Sequence, residues 1–128
     1  MDSGCLGSVD RRRTVVKAKK AKLSLTDIQQ GDVLWATGSA GRRPYLVVTR
    51  TEMIPVLSAI VVAPVTRTIR SIPQCIPLTV ADGMDVDCVA TFDSLTVFDP
   101  ALFDERITTL PERRIHEICE ALAALADC

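Results

Sequence analysis

Gly31-Asp32-Val33-Leu34-Trp35-Ala36-Thr37-Gly38-Ser39-Ala40-Gly41-Arg42-Arg43-Pro44-Tyr45-Leu46-Val47-Val48-Thr49 holds two apolar runs around a glycine-bounded turn. Gly31 and Asp32 punctuate the start of the first run, Val33 to Ala36, and Gly38 to Gly41 marks the turn. The second run, Tyr45 to Thr49, is rich in β-branched residues. Pro44 suits the opening of a strand, where a missing N–H costs least. Outward from this pair, Val56 to Val65 is the most apolar stretch of the chain, rich in Val and Ile, and reads as a buried strand. Pro73 marks a break, Cys75 to Val80 a fourth strand, Asp82-Gly83 a turn and Val86 to Phe92 a fifth strand. Five short strands with tight connections predict a small antiparallel barrel or curled sheet.

The C-terminal stretch has a different period. From Glu112, Ile115, Ile118, Cys119, Leu122 and Leu125 recur at steps of three and four, with Arg113, Arg114, Glu117 and Glu120 outside that stripe. This predicts an amphipathic helix that packs its apolar face on the sheet, with Pro111 in its first turn and His116 off the stripe. The fold class is therefore α+β, mainly β.

With 128 residues, 48% of them hydrophobic, the chain is about one domain long and can close a modest core. Aromatics are few, so that core must rest on Val, Ile, Leu and Ala. No apolar run approaches the roughly 18 residues of a membrane span. The first residues show no secretory pattern, and a cytoplasmic protein without membrane contact is expected. The net charge of −1 hides a split: residues 11–22 carry seven Lys or Arg and no acid, whereas residues 23–128 carry eight basic against fourteen acidic residues. Residues 1–22 read as a basic, disordered arm and 23–128 as a single domain. The arm could serve nucleic acid or an acidic partner. The acidic body argues against broad electrostatic binding of duplex DNA.

Five dispersed cysteines without a CxxC, and one histidine, read as reduced thiols, mostly small core residues, with no material for a metal cage. His116 and Cys119 are more simply packing residues than ligands. Nucleotide-loop, dinucleotide, zincin and hydrolase-elbow motifs are all missing, so no cofactor is expected.

Four segments in order carry a resemblance. Gln30-Gly31-Asp32-Val33-Leu34-Trp35, Arg42-Arg43-Pro44-Tyr45-Leu46-Val47-Val48-Thr49, Ala59-Ile60-Val61-Val62-Ala63-Pro64-Val65-Thr66 and Asp87-Cys88-Val89-Ala90-Thr91-Phe92-Asp93-Ser94-Leu95 together resemble the MazF/PemK toxin family over about residues 30–126. The resemblance implies an SH3-like barrel of the CcdB/PemK type with a C-terminal helix, assembled as a homodimer. It further implies a sequence-selective, metal-independent endoribonuclease, the toxin of a type II toxin–antitoxin pair, held in check by a MazE-like antitoxin. Its substrate would be single-stranded or loop RNA, whether mRNA, tRNA or rRNA.

The family's catalytic arginine falls on Arg43 and its catalytic threonine on Thr66. RNA can be cut by its own 2′-OH, so the protein need only position the chain, neutralise the phosphorane and manage protons. A guanidinium offers a planar fork to two phosphate oxygens, and a hydroxyl can donate to a developing oxyanion. With a pKa above about 12 a guanidinium serves as electrophile and general acid better than as base. Taken alone, Arg43 reads as a surface ion pair and Thr66 as an edge-strand threonine; the joint pattern reverses that. Arg42, Arg67, Thr68, Arg70, Gln74, Asp93 and Ser94 are the accompanying RNA-contact candidates, with Gln74 as a base-edge reader. Two places depart from the family pattern: Thr37 to Gly41 is a short loop, and Ser94 stands where many members have Gln. Two rival readings remain open at this stage. One is a gyrase-binding, CcdB-like toxin without nuclease activity, which would not need Arg43 and Thr66 together and which the terminal Ala126-Asp127-Cys128 disfavours. The other is an SH3-like interaction module, for which aromatic residues are too few.

Overall fold

The quoted stretch forms the expected hairpin in the computed structural model, which describes residues 27–39, 41–69 and 72–126. β1 (Asp32–Gly38) pairs antiparallel with β2 (Gly41–Val47), in register from Val33–Leu46 to Gly38–Gly41. Both strands run further into the turn than the sequence reading places them, and Pro44 lies mid-strand opposite Trp35. β3 (Ile60–Thr66) pairs with β2 through Tyr45–Pro64, Leu46–Ala63 and Val47–Val62. β4 (Cys75–Leu78), β5 (Cys88–Thr91), β6 (Thr96–Phe98) and β7 (Phe103–Thr109) complete an antiparallel sheet of order β4-β5-β3-β2-β1-β7, with β6 on β3 off that path. The one α-helix among the described residues, α1 (His116–Leu125), closes one end.

Strand alternation explains why β1 to β3 are apolar nearly throughout. Val33, Leu46, Ala63 and Val65 face a core completed by Ile76, Leu78, Phe92, Ile118 and Ala121. Leu34, Ala36, Tyr45, Val47 and Val62 face a second core with Ile28, Ile54, Ile60 and Phe103. Successive side chains in a strand point to opposite faces, so a sheet covered on both faces needs hydrophobes at every position. Each such Leu, Ile or Val contributes about 1.5–3 kcal/mol by leaving water.

Several expectations need correction. Among the described residues seven strands form, not five, because β6 and β7 carry no sequence signal strong enough to mark them. The strand expected over Val56–Val65 begins only at Ile60. Thr51–Val56 is a 3-10 helix that buries Ile54 and leaves Val56 72% exposed. Val80–Asp82 is likewise a 3-10 turn rather than the end of β4, and β5 is shorter than Val86–Phe92. The helix starts after a 3-10 turn at Glu112–Arg114, and its buried stripe uses Ile118 and Ala121, while Cys119 and Leu125 are exposed. Cys75 and Cys88 are core residues as expected. The basic arm, Cys5 and Cys128 lie outside the described residues.

Gly31 and Asp32 hold the start of β1 to the end of β7. The Gly31 N–H donates to the Val47 carbonyl at 3.0 Å, and its own carbonyl accepts from Leu110 N–H at 2.9 Å. Asp32 is fully buried, and its carboxylate accepts from Gln29 N–H at 3.0 Å, Thr109 Oγ1 at 2.7 Å and the Arg106 guanidinium at 3.1 Å. Arg106 also donates to the Asp27 carbonyl. A buried carboxylate is tolerable only when its oxygens are satisfied in this way. Gly31 sits at φ +93°, and an added Cβ would lie 2.7 Å from Ile115 Cδ1. Ile115 can swing aside, but the backbone angle cannot relax without breaking both hydrogen bonds. Gly31→Ala should therefore destabilise the fold by about 1–3 kcal/mol, read as a lower urea midpoint, and an unchanged midpoint would refute this account.

Candidate active site

β2 and β3 bring together the two residues expected to do chemistry. Carried two residues past Tyr45–Pro64, the β2–β3 register sets Arg43 level with Thr66. Two hollows meet there. The larger, about 680 Å³, is walled by Trp35, Arg42, Arg43, Thr66, Arg67 and the 83–88 segment, with Glu105 to Ile107 of β7. The smaller, about 380 Å³, is lined by Arg43, Pro64, Thr66, Thr68, Cys75, Val89, Thr91, Asp93 and Ser94. Arg43 and Thr66 belong to both and form the ridge between them.

Their hydrogen-bonding states suit a reaction at that ridge. The Thr68 N–H donates to Thr66 Oγ1 at 3.2 Å, which occupies a lone pair of the hydroxyl and leaves its proton free to donate. Arg43 is half-buried and makes no ion pair or side-chain hydrogen bond among the described residues. Arg106 and Arg114 are both committed elsewhere. Arg67 is exposed on the wall of the larger hollow, also without an ion pair.

The other candidates divide. Thr68, Asp93 and Ser94 line the smaller hollow beside the ridge. Arg42 borders the larger one, but Asp104 and Glu105 accept from its guanidinium at 3.0 and 3.1 Å, and it lies 4.5 Å over the Trp35 ring. Hydrogen bonding to Asp104 holds the Arg42 guanidinium above its ordinary pKa, against a smaller opposing effect of burial. Gln74 is half-buried next to β4 and is not a wall residue of either hollow. Arg70 lies outside the described residues. Sequence reasoning missed Trp35, Thr91, Met84, Asp85 and Val86 as wall residues. The Asp82-Gly83 turn was the available signal for the last three. Among the described residues no three His, Cys, Asp or Glu side chains cluster to hold a metal ion, and no helix is long and apolar enough to cross a membrane.

Comparison with known proteins accords with this geometry. The sequence profile of the PemK-like, MazF-like toxins of type II toxin–antitoxin systems matches residues 25–126. The chain belongs to this family. It is 34% identical over 102 residues to the probable endoribonuclease MazF2 of Mycobacterium tuberculosis, covering 79% of this chain and all of that one. The solved Mycobacterium tuberculosis toxin MazF-mt6 superposes with a TM-score of 0.67 at 24% identity, over 73% of this chain and 95% of the toxin. An endoribonuclease in complex with its cognate antitoxin, from a mycobacterial species, superposes with the same score at 21% identity, over 77% and 94% of the two chains.

The 83–88 wall of the larger hollow is tied to the helix by one arginine. Arg114 donates to the Pro77 carbonyl at 2.8 Å, to Asp82 at 2.8 Å and to both oxygens of Glu117 at 2.8 and 2.9 Å. Glu117 is held below the usual carboxylate pKa, chiefly by its bond to Arg114. Burial pushes the Asp82 carboxyl up, but the Thr79 N–H and Arg114 together outweigh burial and leave it lowered. Folded values below the ordinary 3.8 and 4.5 mean that this stabilisation is complete above pH 4.5 and is lost as pH falls through the lowered values. Arg114→Ala should cost about 1–3 kcal/mol at pH 7 and flatten the decline in stability below pH 4.5. Urea melts at pH 3 to 7 read both, and an unchanged acid slope in the variant would contradict the assignment.

Proposed function

We propose that this chain is a sequence-selective endoribonuclease, the toxin of a type II toxin–antitoxin pair, that cuts RNA by internal attack at the Arg43–Thr66 ridge and requires no metal ion for the step. The observation that carries the reading is the pairing of an uncommitted guanidinium with a hydroxyl whose proton is free, at the meeting point of two hollows. A nucleotide on each side of the ridge sets the connecting phosphate over these two groups. The substrate 2′-oxygen then forms a bond to phosphorus while the bond to the 5′-oxygen breaks. The 2′-OH proton passes to solvent, and the departing 5′-oxygen gains a proton, with Arg43 as the adjacent donor. Arg43 binds the equatorial oxygens as negative charge grows, and Thr66 donates to one of them. The products are a 2′,3′-cyclic phosphate and a 5′-OH.

Arg67, Thr68 and Ser94 accompany the chain along the two hollows, with Arg70, Gln74 and Asp93 as further contacts from the sequence pattern. A MazE-like antitoxin partner is supported by the neighbour solved with its cognate antitoxin. Such a toxin acts in the cytoplasm, where its RNA resides.

Purified protein incubated with total RNA in EDTA should cleave it, leaving 5′-OH ends. Arg43→Ala and Thr66→Val should each lower kcat by about 10²–10³-fold with melting temperatures unchanged. Activity lost in chelator and restored by magnesium, or an Arg43→Ala variant as active as the parent, would overturn the mechanism.

Assembly adds a second expectation. Val56, Leu57 and Val97 are exposed, Val56 to 72% and Val97 to 61%, on elements adjoining β3. Covering them against a second copy yields the homodimer expected from the family resemblance. Sedimentation at micromolar concentration should give twice the 13.9 kDa chain mass, and a monomer throughout would count against it.

A further inference from the structure

The larger hollow holds a guanidinium seated over an indole. β1 and β2 place Arg42 opposite Thr37, two residues from Trp35 on the same side of the strand, and β7 places Glu105 opposite Trp35. The Arg42 guanidinium therefore reaches diagonally over the indole at 4.5 Å and ends against Asp104 and Glu105 at 3.0 and 3.1 Å. It remains 39% exposed, with the ring on one side of it and two carboxylates bonded to its Nη2. Trp35 is the only tryptophan of the chain and the only aromatic wall residue of either hollow.

This arrangement is poorly suited to a phosphate. One guanidinium between two carboxylates makes a cluster of net charge −1, and its Nη2 is already engaged by both. A flat cation layered on an aromatic ring is instead a stacking surface for a base. The same carboxylates, fixed at the edge of that surface, can accept from the exocyclic amino group of adenine, cytosine or guanine. A hollow of about 680 Å³ has room for a nucleotide beside the ridge, and Arg43 on the ridge and Arg67 beside it remain for its phosphates.

We propose that Arg42, layered on Trp35 and fixed by Asp104 and Glu105, is a nucleobase-stacking platform that seats one base of the RNA beside the Arg43–Thr66 ridge, with preference for bases carrying an amino group. The proposal rests on the endoribonuclease reading but names a different role for Arg42 from a phosphate contact. Arg42 is a positioning residue: it holds a base and leaves the phosphorus chemistry to the ridge.

Trp35 emission reports on its own site. AMP, CMP, GMP and UMP should quench it saturably, UMP the most weakly, while ribose 5-phosphate, which has the phosphate but no base, should not. Arg42→Lys keeps the charge and loses the plane. It should weaken mononucleotide binding about tenfold, the scale of one lost base stack, with an unchanged salt slope. In RNA cleavage it should raise KM by a similar factor while kcat falls by less than twofold. Equal quenching by ribose 5-phosphate would overturn the proposal. So would an Arg42→Lys variant that binds like the parent, or quenching by an acidic peptide with none by the nucleotides. Nucleotide quenching lost in Arg42→Lys, in a protein that cuts no RNA, would leave the platform standing and remove the nuclease reading instead.

Discussion

β3 has to satisfy three partner strands with one set of backbone groups, and that constraint shapes the molecule. Along one edge it bonds to β2. Along the other it bonds to β6 from Ile60 to Val62 and then, at Val65 and Thr66, to β5. The strand that pairs along that edge therefore changes between Val62 and Val65. Pro64 sits at that change, between the last β6 pair and the first β5 pair, and offers no N–H to either. A proline inside a central strand usually argues against the strand. Here the ladder has a gap at the one position that lacks a donor. Beyond that change, half-buried Thr66 stands on the ridge between the two hollows.

The opposite edge of the hairpin depends on charge rather than on apolar contact. Asp32 takes three hydrogen bonds in a site with no solvent access, two of them from β7 side chains some seventy residues away. Loss of Arg106 or Thr109 would leave a buried carboxylate short of donors, which costs more than the bond itself contributes. This commitment explains why β7, which reads Phe-Asp-Glu-Arg-Ile-Thr-Thr, shows no alternation of apolar and polar residues. Its polar side chains are spent as clamps: Arg106 and Thr109 on Asp32, Asp104 and Glu105 on Arg42, and Thr108 on the Asp82 carbonyl at 2.7 Å.

That use of polar residues also marks the limit of what the sequence discloses. The hairpin, β3 and the C-terminal helix are legible because their hydrophobic periods match their environments. The Gly31-Asp32 pair is legible as punctuation, although its role as a buried clamp requires partners far along the chain. Val56 and Leu57 mislead because an apolar run does not tell which residues face water, and here Ile54 is the residue that turns inward. In the helix, Ala121 takes a buried place that the pattern of larger residues assigned to Cys119, since close packing on β4 favours the smaller side chain at that position. At the site, Arg43 and Thr66 can be named from linear motifs, but Trp35 and the 83–88 wall cannot, because only the β1–β7 register and the Arg114 clamp bring them to the hollow.

The two adjacent arginines show what the fold adds to a motif. In sequence Arg42 and Arg43 are indistinguishable basic neighbours before a proline. In a strand they must point to opposite sides, so the sheet separates their fates. Arg42 falls on the side where β7 presents two carboxylates and β1 an indole, and it becomes a fixed, neutralised plane. Arg43 falls on the side where β3 presents a hydroxyl and no acid, and its charge stays uncompensated. Acids line the same hollows, but none of the described ones pairs with Arg43. Its field is then available to a phosphate that arrives from outside.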